Sequence, residues 1–396
     1  MIINGKRALA HIEEVAWVKP IEGADNIELI GVLGWTCIVK KGEFRAGDLC
    51  VYFEIDSKLP EAEWSEFMRP KHFKVKTMKL GKFKVISQGL ALPVDTVGCT
   101  LIGDNAGVDV TERLGVKYSV EEDNKRKSNS SGDKYAVMAQ RRPDIFKRKW
   151  ARWMMRRNWG KKVMFVFFGK KKDKPLAFPT HFPFVHKTDE ERIENLPHML
   201  EYKKPLYVTE KLDGTSSTYI LEKKKDRLGR IKYEFYVLSR NVRQMTPDQK
   251  CYHNDNIYWN MALKYNIEQH LKDYLEKENL DYVCLQGESV GSVQGNPLKL
   301  KEDDFYGFNF IRSDIGRISS NEGKEILEKW NMKWVPIIQD NFIMPDDITM
   351  EEFKNMATGP SEVNPKVLRE GYVYRNYDDG VSFKNVSREF LLKHNQ

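Results

Sequence analysis

Leu206-Tyr207-Val208-Thr209-Glu210-Lys211-Leu212-Asp213-Gly214-Thr215-Ser216-Ser217-Thr218-Tyr219-Ile220-Leu221 is the stretch on which the rest of the chain turns. Two runs rich in Val, Thr, Tyr and Ile flank Asp213-Gly214. That pattern predicts two antiparallel strands joined by a tight Asp-Gly turn. Lys211 stands two residues before the aspartate, at the end of the first strand. Lys-x-Asp-Gly is short, and a chain of this length meets it by chance about one time in ten. The stretch alone has two readings: a surface hairpin, or a nucleophilic lysine held at a strand edge beside a carboxylate.

Composition bounds what surrounds it. The 396 residues suffice for two or three domains, and 41% apolar with 31% charged content suits a soluble globular protein. No apolar run reaches membrane-spanning length and no signal pattern opens the chain, so an intracellular, soluble protein is expected. Cys37, Cys50, Cys99, Cys251 and Cys284 are scattered without Cys-x-x-Cys spacing. This argues for a reducing compartment and against a zinc site or a disulfide framework. The net charge of +8 is uneven: residues 141–174 carry fourteen Lys/Arg and two Asp, leaving −4 for the rest of the chain. A local basic patch is the expected footprint of a polyanion.

Residues 1–118 read as short strands punctuated by turns at Glu22-Gly23, Gly34, Lys41-Gly42 and Ala46-Gly47-Asp48, which suggests a small barrel. Its strongest strand is Leu49–Ile55. The stretch Val18–Glu28 resembles the opening of an OB-fold of the tRNA-binding kind. In such a barrel Val75–Leu80 and Ser87–Leu90 would touch nucleic acid; the plain alternative is a solvated strand face. Residues 119–175 read as a polar linker followed by a basic amphipathic segment. Within it, 144–159 interleaves Ile145, Phe146, Trp150, Trp153, Met154 and Trp159 with lysines and arginines. Three readings of that helix stand: a phosphate contact, a membrane-surface helix, or a helix packed on the next domain. Val163–Phe168 reads as a buried strand. Thr188-Asp189-Glu190-Glu191 predicts a capping box opening a short helix that ends before Pro197. Asn256–Glu278 predicts one long helix.

Further stretches follow Lys211 in order: Ser239-Arg240-Asn241 at a strand end, Gly287-Glu288 at another, and the aromatic strand Phe305-Tyr306-Gly307-Phe308-Asn309-Phe310. Glu370-Gly371-Tyr372-Val373 and the strand-borne Lys384 close the set. Together with Lys-x-Asp-Gly, this order resembles the covalent nucleotidyltransferase superfamily of ATP-dependent ligases and mRNA capping enzymes. The resemblance covers roughly residues 178–393. The OB-like start and the run Lys187–Ile193 are similar to the Deinococcus-type branch of RNA ligases.

The resemblance implies an α+β protein. An N-terminal OB-fold β-barrel (1–118) would precede a mixed α/β nucleotidyltransferase, ATP-grasp-like ligase domain built on antiparallel sheets (176–396). It implies Lys211 as the nucleophile toward the α-phosphate of ATP, giving a lysyl-AMP intermediate. Lys384 would lower its proton affinity and hold the phosphate. Asp213 and Glu370 would organise Mg²⁺ or Mn²⁺, which prefers few carboxylates plus water and phosphate oxygens. Glu288 would take the ribose hydroxyls and Arg240 the ribose or the 5′-phosphate. Phe308, or Tyr306 on the same strand face, would stack on adenine, with Glu210 and Gly214 also at the nucleotide. One departure stands out: related ligases often carry Lys-x-Lys in the last motif, and here the first position is Ser382.

The expected activity is ATP-dependent joining of 5′-phosphate and 3′-hydroxyl ends, with sealing of nicks whose 3′-OH strand is RNA. The expected partner is RNA or an RNA-containing duplex, with no membrane partner, and the expected state is a monomer. The rivals are a DNA ligase, a capping-type nucleotidyltransferase, and an RNA-binding module with an inactive transferase half. The first two place a second OB domain after the final motif, where only twelve residues follow Lys384. Because the reactive positions all lie after residue 206, removing residues 1–118 is expected to spare self-adenylylation and weaken nick sealing.

Overall fold

The computed structural model describes residues 1–3, 6–99, 105–119, 145, 148–168, 176–226, 228–244 and 256–394. Lys125-Arg126-Lys127, Cys251 and most of the polar linker lie outside the described residues.

The first domain is a curled antiparallel sheet. Strands β1 (Ala10–Pro20), β2 (Ile27–Val32), β3 (Trp35–Lys40), β4 (Leu49–Phe53) and β5 (Leu90–Pro93) are ordered β5-β4-β1-β2-β3. The length of β1 allows it to pair with β4 through its first half and β2 through its second. A bulge between Val15 and Trp17 bends it between the two partners. One face of the sheet closes over Ile12, Val51, Phe53 and Val75. The other closes over Val15, Val32, Trp35 and Tyr52, and this second core takes in Val386 and Leu391 from the far end of the chain. Ser87 and Gln88 do not face nucleic acid, because both are buried. Ser87 Oγ accepts the Ile38 N–H at 3.0 Å, and the Gln88 carbonyl accepts the Tyr52 hydroxyl at 3.1 Å.

The basic segment folds as two helices, α1 (Lys149–Met155) and α2 (Asn158–Phe168). The expected strand at Val163–Phe168 is therefore helical, and Val166 is 78% exposed instead of buried. A short apolar run does not by itself distinguish the two states. Phe146 and Lys147 lie outside the described residues.

The second domain is built on two sheets. One holds β6 (Glu191–Arg192), β7 (Leu206–Lys211), β12 (Ile337–Phe342), β13 (Gly371–Arg375) and β14 (Ser382–Val386), in the order β6-β14-β13-β7-β12. The other is centred on β8 (Thr215–Lys225), β9 (Ile231–Ser239), β10 (Tyr282–Val290) and β11 (Asp304–Arg312), in the order β9-β8-β10-β11. Helices Ile257–Lys264, Ile267–Lys277 and Ser320–Lys329 cover the outer face of the latter. The single long helix expected over Asn256–Glu278 is broken at Asn266, which adopts φ 45°.

The deciding stretch is not a hairpin. β7 pairs with β12 and β13, whereas β8 pairs with β9 and β10, so Asp213-Gly214 carries the chain from one sheet to the other. Gly214 is required by crowding and not by a left-handed turn. A Cβ there would collide with the Ser289 carbonyl and lie 2.8 Å from Val290 Cγ1.

The expected helix at Thr188–Glu191 is an extended strap with a 3-10 turn, Ile193–Asn195, after it. Tertiary hydrogen bonds hold it open. Gln286 Nε2 donates to the His186 carbonyl at 2.9 Å, and the Thr188 and Ser216 hydroxyls meet at 2.8 Å. β6 then pairs in parallel with β14. The strap also carries the domain interface. Trp35 Nε1 donates to Asn195 Oδ1 at 2.6 Å, Asn195 Nδ2 donates to Glu54 at 2.6 Å, and Gly34 N–H donates to the Glu194 carbonyl at 2.7 Å. Lys354, 1% exposed, donates to the Gly34 carbonyl at 3.4 Å.

Candidate active site

Strand alternation sorts the side chains. Lys211 opposes Gly371, Val373 opposes Lys384, Arg375 opposes Ser382, and Lys384 opposes Arg192. Opposed residues share a sheet face, so Lys211, Lys384, Arg375, Ser382 and Arg192 all project from one side. Glu288 opposes Ser216 and Tyr306 on the second sheet. The crossing at Asp213-Gly214 brings these two faces together.

Lys211 Nζ lies 2.7 Å from each carboxylate oxygen of Glu370. Burial works against its charge, but the carboxylates of Glu370, Glu288 and Asp213 outweigh burial and hold the ammonium above the usual lysine range. The acids are strained in turn. Burial, then repulsion from Glu370, pushes Asp213 up to about 7 against the pull of Lys211. Burial pushes Glu288 up to about 8; Lys211 opposes that rise, and Glu370 and Asp213 add to it. The Gly214 N–H stabilises the Glu288 carboxylate. Ionising all three acids around one lysine would leave an excess of negative charge.

That excess is the test of fit for a divalent cation, and the residues pass it. Among the described residues no group of three or more His, Cys, Asp or Glu side chains forms a ready-made metal cage. The set suits a Mg²⁺ or Mn²⁺ ion that brings its remaining ligands as water and phosphate oxygens.

Lys384 donates to Asp189 Oδ1 at 3.0 Å, and Arg240 Nη2 lies 2.6 Å from Asp189 Oδ2. Burial lowers Lys384 to about 8; Asp189 opposes this, while Arg192, Arg7 and Lys211 add to it. Asp189 is held well below the usual carboxylate range: burial opposes its charge, and Lys384, Arg240 and Arg7 overcome it. Arg7 belongs to the first domain, so the barrel contributes charge at this site.

Sequence reading missed Asp189, Glu190, Arg7 and Arg375. The first two lay in a run taken for a helix start, and a helix would have scattered them. Arg375 Nη2 lies 2.6 Å from Glu190 Oε1, and Ser382 Oγ donates to the same oxygen at 3.3 Å. Arg375 is 4% exposed and its Nε is buried without a hydrogen-bond partner among the described residues. Only the cross-strand register reveals that an arginine stands opposite the missing lysine.

Glu210 is not brought to this face. Its Oε2 accepts the Glu362 N–H at 2.8 Å, while Oε1 is buried without a hydrogen-bond partner among the described residues. Tyr306 and Phe308 do not simply alternate on one face either. The β10–β11 ladder slips so that Tyr306 opposes Glu288 and Asn309 opposes Gln286, which leaves Phe308 as the extra residue. The Arg375 guanidinium lies 5.8 Å from the Phe308 ring centre.

Residues 9–94 match the model of an OB-fold domain family, and residues 204–393 match that of RNA ligase. No curated protein sequence matches the chain. Among solved structures, a Naegleria gruberi RNA ligase variant with ATP and Mn is 30% identical at a TM-score of 0.71, covering 98% of this chain and 100% of that one. The Naegleria enzyme with pyrophosphate, and a variant with AMP and Mn, each match with 30% identity and a TM-score of 0.71 over 98% of this chain and 99% of theirs. The OB-fold followed by an α+β ligase domain, the bracketed lysine and the full-length likeness to these structures meet in one conclusion: this chain is an ATP-dependent RNA ligase and belongs to the RNA ligase family.

Proposed function

We propose that the chain seals nicks whose 3′-OH strand is RNA, in three steps run from the face described above. The observation that carries this reading is Lys211 at the junction of the two sheets, bracketed by Glu370, Asp213 and Glu288. In the first step the Lys211 amine attacks the α-phosphorus of ATP. A P–N bond forms, the P–O bond to pyrophosphate breaks, and pyrophosphate leaves. AMP then passes to the 5′-phosphate of the nick, and the 3′-hydroxyl displaces it.

The protein's task is to place and neutralise. Lys384 and Arg240, aligned by Asp189, face the phosphates. Arg375, aligned by Glu190, supplies the cation that Ser382 lacks. Glu288 receives the ribose hydroxyls. Phe308 or Tyr306 stacks on the base. Asp213 and Glu370 would hold Mg²⁺ or Mn²⁺, whose chemistry there would be to supply positive charge to the phosphates. The working units are the barrel 1–118, the connecting segment 119–175 and the ligase domain 176–396, acting as a monomer on RNA or an RNA-containing duplex.

Incubation with labelled ATP or GTP followed by a denaturing gel tests this directly. Acid-labile label from ATP alone is expected, and none in Lys211→Ala, which should still seal a nick already adenylylated at its 5′ end. Label from GTP alone would indicate a capping activity, and no label from either would indicate an RNA-binding module.

A further inference from the structure

Helices α1 and α2 take no part in the site just described. They lie outside both matched regions, 9–94 and 204–393. Residues 148–168 hold seven Lys/Arg and no Asp or Glu. Six of the fifteen exposed large apolar side chains among the described residues fall on this pair. They are Trp150 (48%), Trp153 (50%), Trp159 (53%), Val163 (37%), Val166 (78%) and Phe167 (75%).

Their arrangement is ordered. On α2, Trp159, Val163, Val166 and Phe167 follow a spacing of four, three and one, which places them in a single stripe along the helix. Ala151, Gly160 and Met164 are buried, and a Cβ on Gly160 would collide with the Met154 carbonyl. The helices are thus closed against each other through small residues, and the stripe is on the outside.

We propose that this helix pair docks the ligase onto an anionic lipid surface. A bilayer interface accepts every part of it: the apolar stripe at the acyl boundary, the tryptophans at headgroup level, and the arginines and lysines against anionic headgroups. Binding of such an element grows with the apolar area it buries and with its electrostatic attraction to anionic lipids.

Nucleic acid fits less of the surface. Phosphates would take the cations, but nothing on RNA takes Val163 and Val166. The tryptophan faces are also partly used: Arg157 lies 3.8 Å over the Trp153 ring, and Trp159 meets Trp153 edge-on at 6.0 Å. A second copy of the chain would set two wholly basic faces against each other. The expectation of no membrane partner rested on the lack of a spanning segment. No helix among the described residues is long and apolar enough to cross a membrane. At 1.5 Å per residue, α2 is about 16 Å long against about 30 Å of hydrocarbon, so it lies on the surface and does not cross.

The test is co-sedimentation of the full chain with vesicles of phosphatidylcholine, alone or with about a third phosphatidylserine. Binding to the anionic vesicles should be at least about tenfold tighter than to the neutral ones, and V163E/V166E should weaken it by at least about tenfold. Self-adenylylation and nick sealing in solution should be unchanged in that variant, which also shows that it is folded. Three results overturn the proposal: no sedimentation with anionic vesicles, a loss of nick affinity in V163E/V166E (an RNA surface), or a concentration-dependent dimer abolished by it (a self-association surface).

Discussion

Glu370→Gln separates what Glu370 does to the resting lysine from what it does for the reaction. The substitution keeps the size of the side chain and removes one charge, 2.7 Å from Lys211 Nζ. A hydrogen bond with an ionised partner contributes about 1.5–3 kcal/mol. At 1.36 kcal/mol per pKa unit, losing it should lower the Lys211 pKa by about one to two units. Glu288 and Asp213 remain and still favour the charged lysine, so the shift is partial. Below the pKa the fraction of free amine rises tenfold per unit. Lys211 of the variant should therefore react about 10- to 100-fold faster with an amine-specific acylating reagent at pH 8 to 9. Quantitative mass spectrometry of the Lys211 peptide gives that rate. Adenylylation by ATP should move the other way, falling about 10²-fold, because a positioned charge in a dry site is gone. The opposite signs are the diagnostic. A variant that stays folded yet labels Lys211 no faster than the parent would refute the electrostatic account of the bracket. Unchanged adenylylation would remove Glu370 from the machinery.

The pH dependence of kcat/KM for adenylylation should rise steeply on the acid side, as Asp213 and Glu288 gain charge through about 7 and 8 and the free-amine fraction of Lys211 grows, and should flatten into an alkaline limb above about 8, where Lys384 loses its charge. Asp189→Asn removes the anion that supports charged Lys384, so the alkaline limb should move to lower pH, and an unmoved limb would show that Lys384 does not set it. Gly214→Ala should destabilise the protein by about 1–3 kcal/mol through overpacking against Ser289 and Val290, read as a lowered Tm, with adenylylation reduced as the crossing shifts. Removing residues 1–118 should impair self-adenylylation as well as nick sealing, since it strips Arg7 from beside Lys384 and uncovers Val386 and Leu391; full labelling of the truncated chain would restore the simple division of labour.

The parts of this protein legible from its sequence are those that depend on local order. The barrel strands, the strand ends at Lys211 and beside Arg240, and the order of the motifs along the chain are all of that kind, although the strand carrying Glu288 runs on to Val290. What was not legible depends on pairing across long separations. Asp213-Gly214 looks like a hairpin because strand propensity says nothing about which sheet a strand joins. The strap 187–192 has a helix-start pattern, yet Ser216, Gln286, Lys384 and Arg375 pull it straight. Arg375 and Ser382 are seven residues apart and opposed only once β13 and β14 are registered. The bulge at Phe308 defeats an inference of facing from simple alternation.

The neighbours of β7 also govern when the enzyme can first act. Lys211 ends a strand whose hydrogen-bonded partner, Gly371, is made 160 residues later. At roughly 5–20 residues per second, a ribosome needs about 8–30 s to cover that interval. Through that time the nascent lysine has neither Glu370 nor the strand that sets its direction, and the cations at 375 and 384 do not yet exist. The growing chain thus displays its nucleophile early and stays inert toward ATP until β13 and β14 have been made and paired.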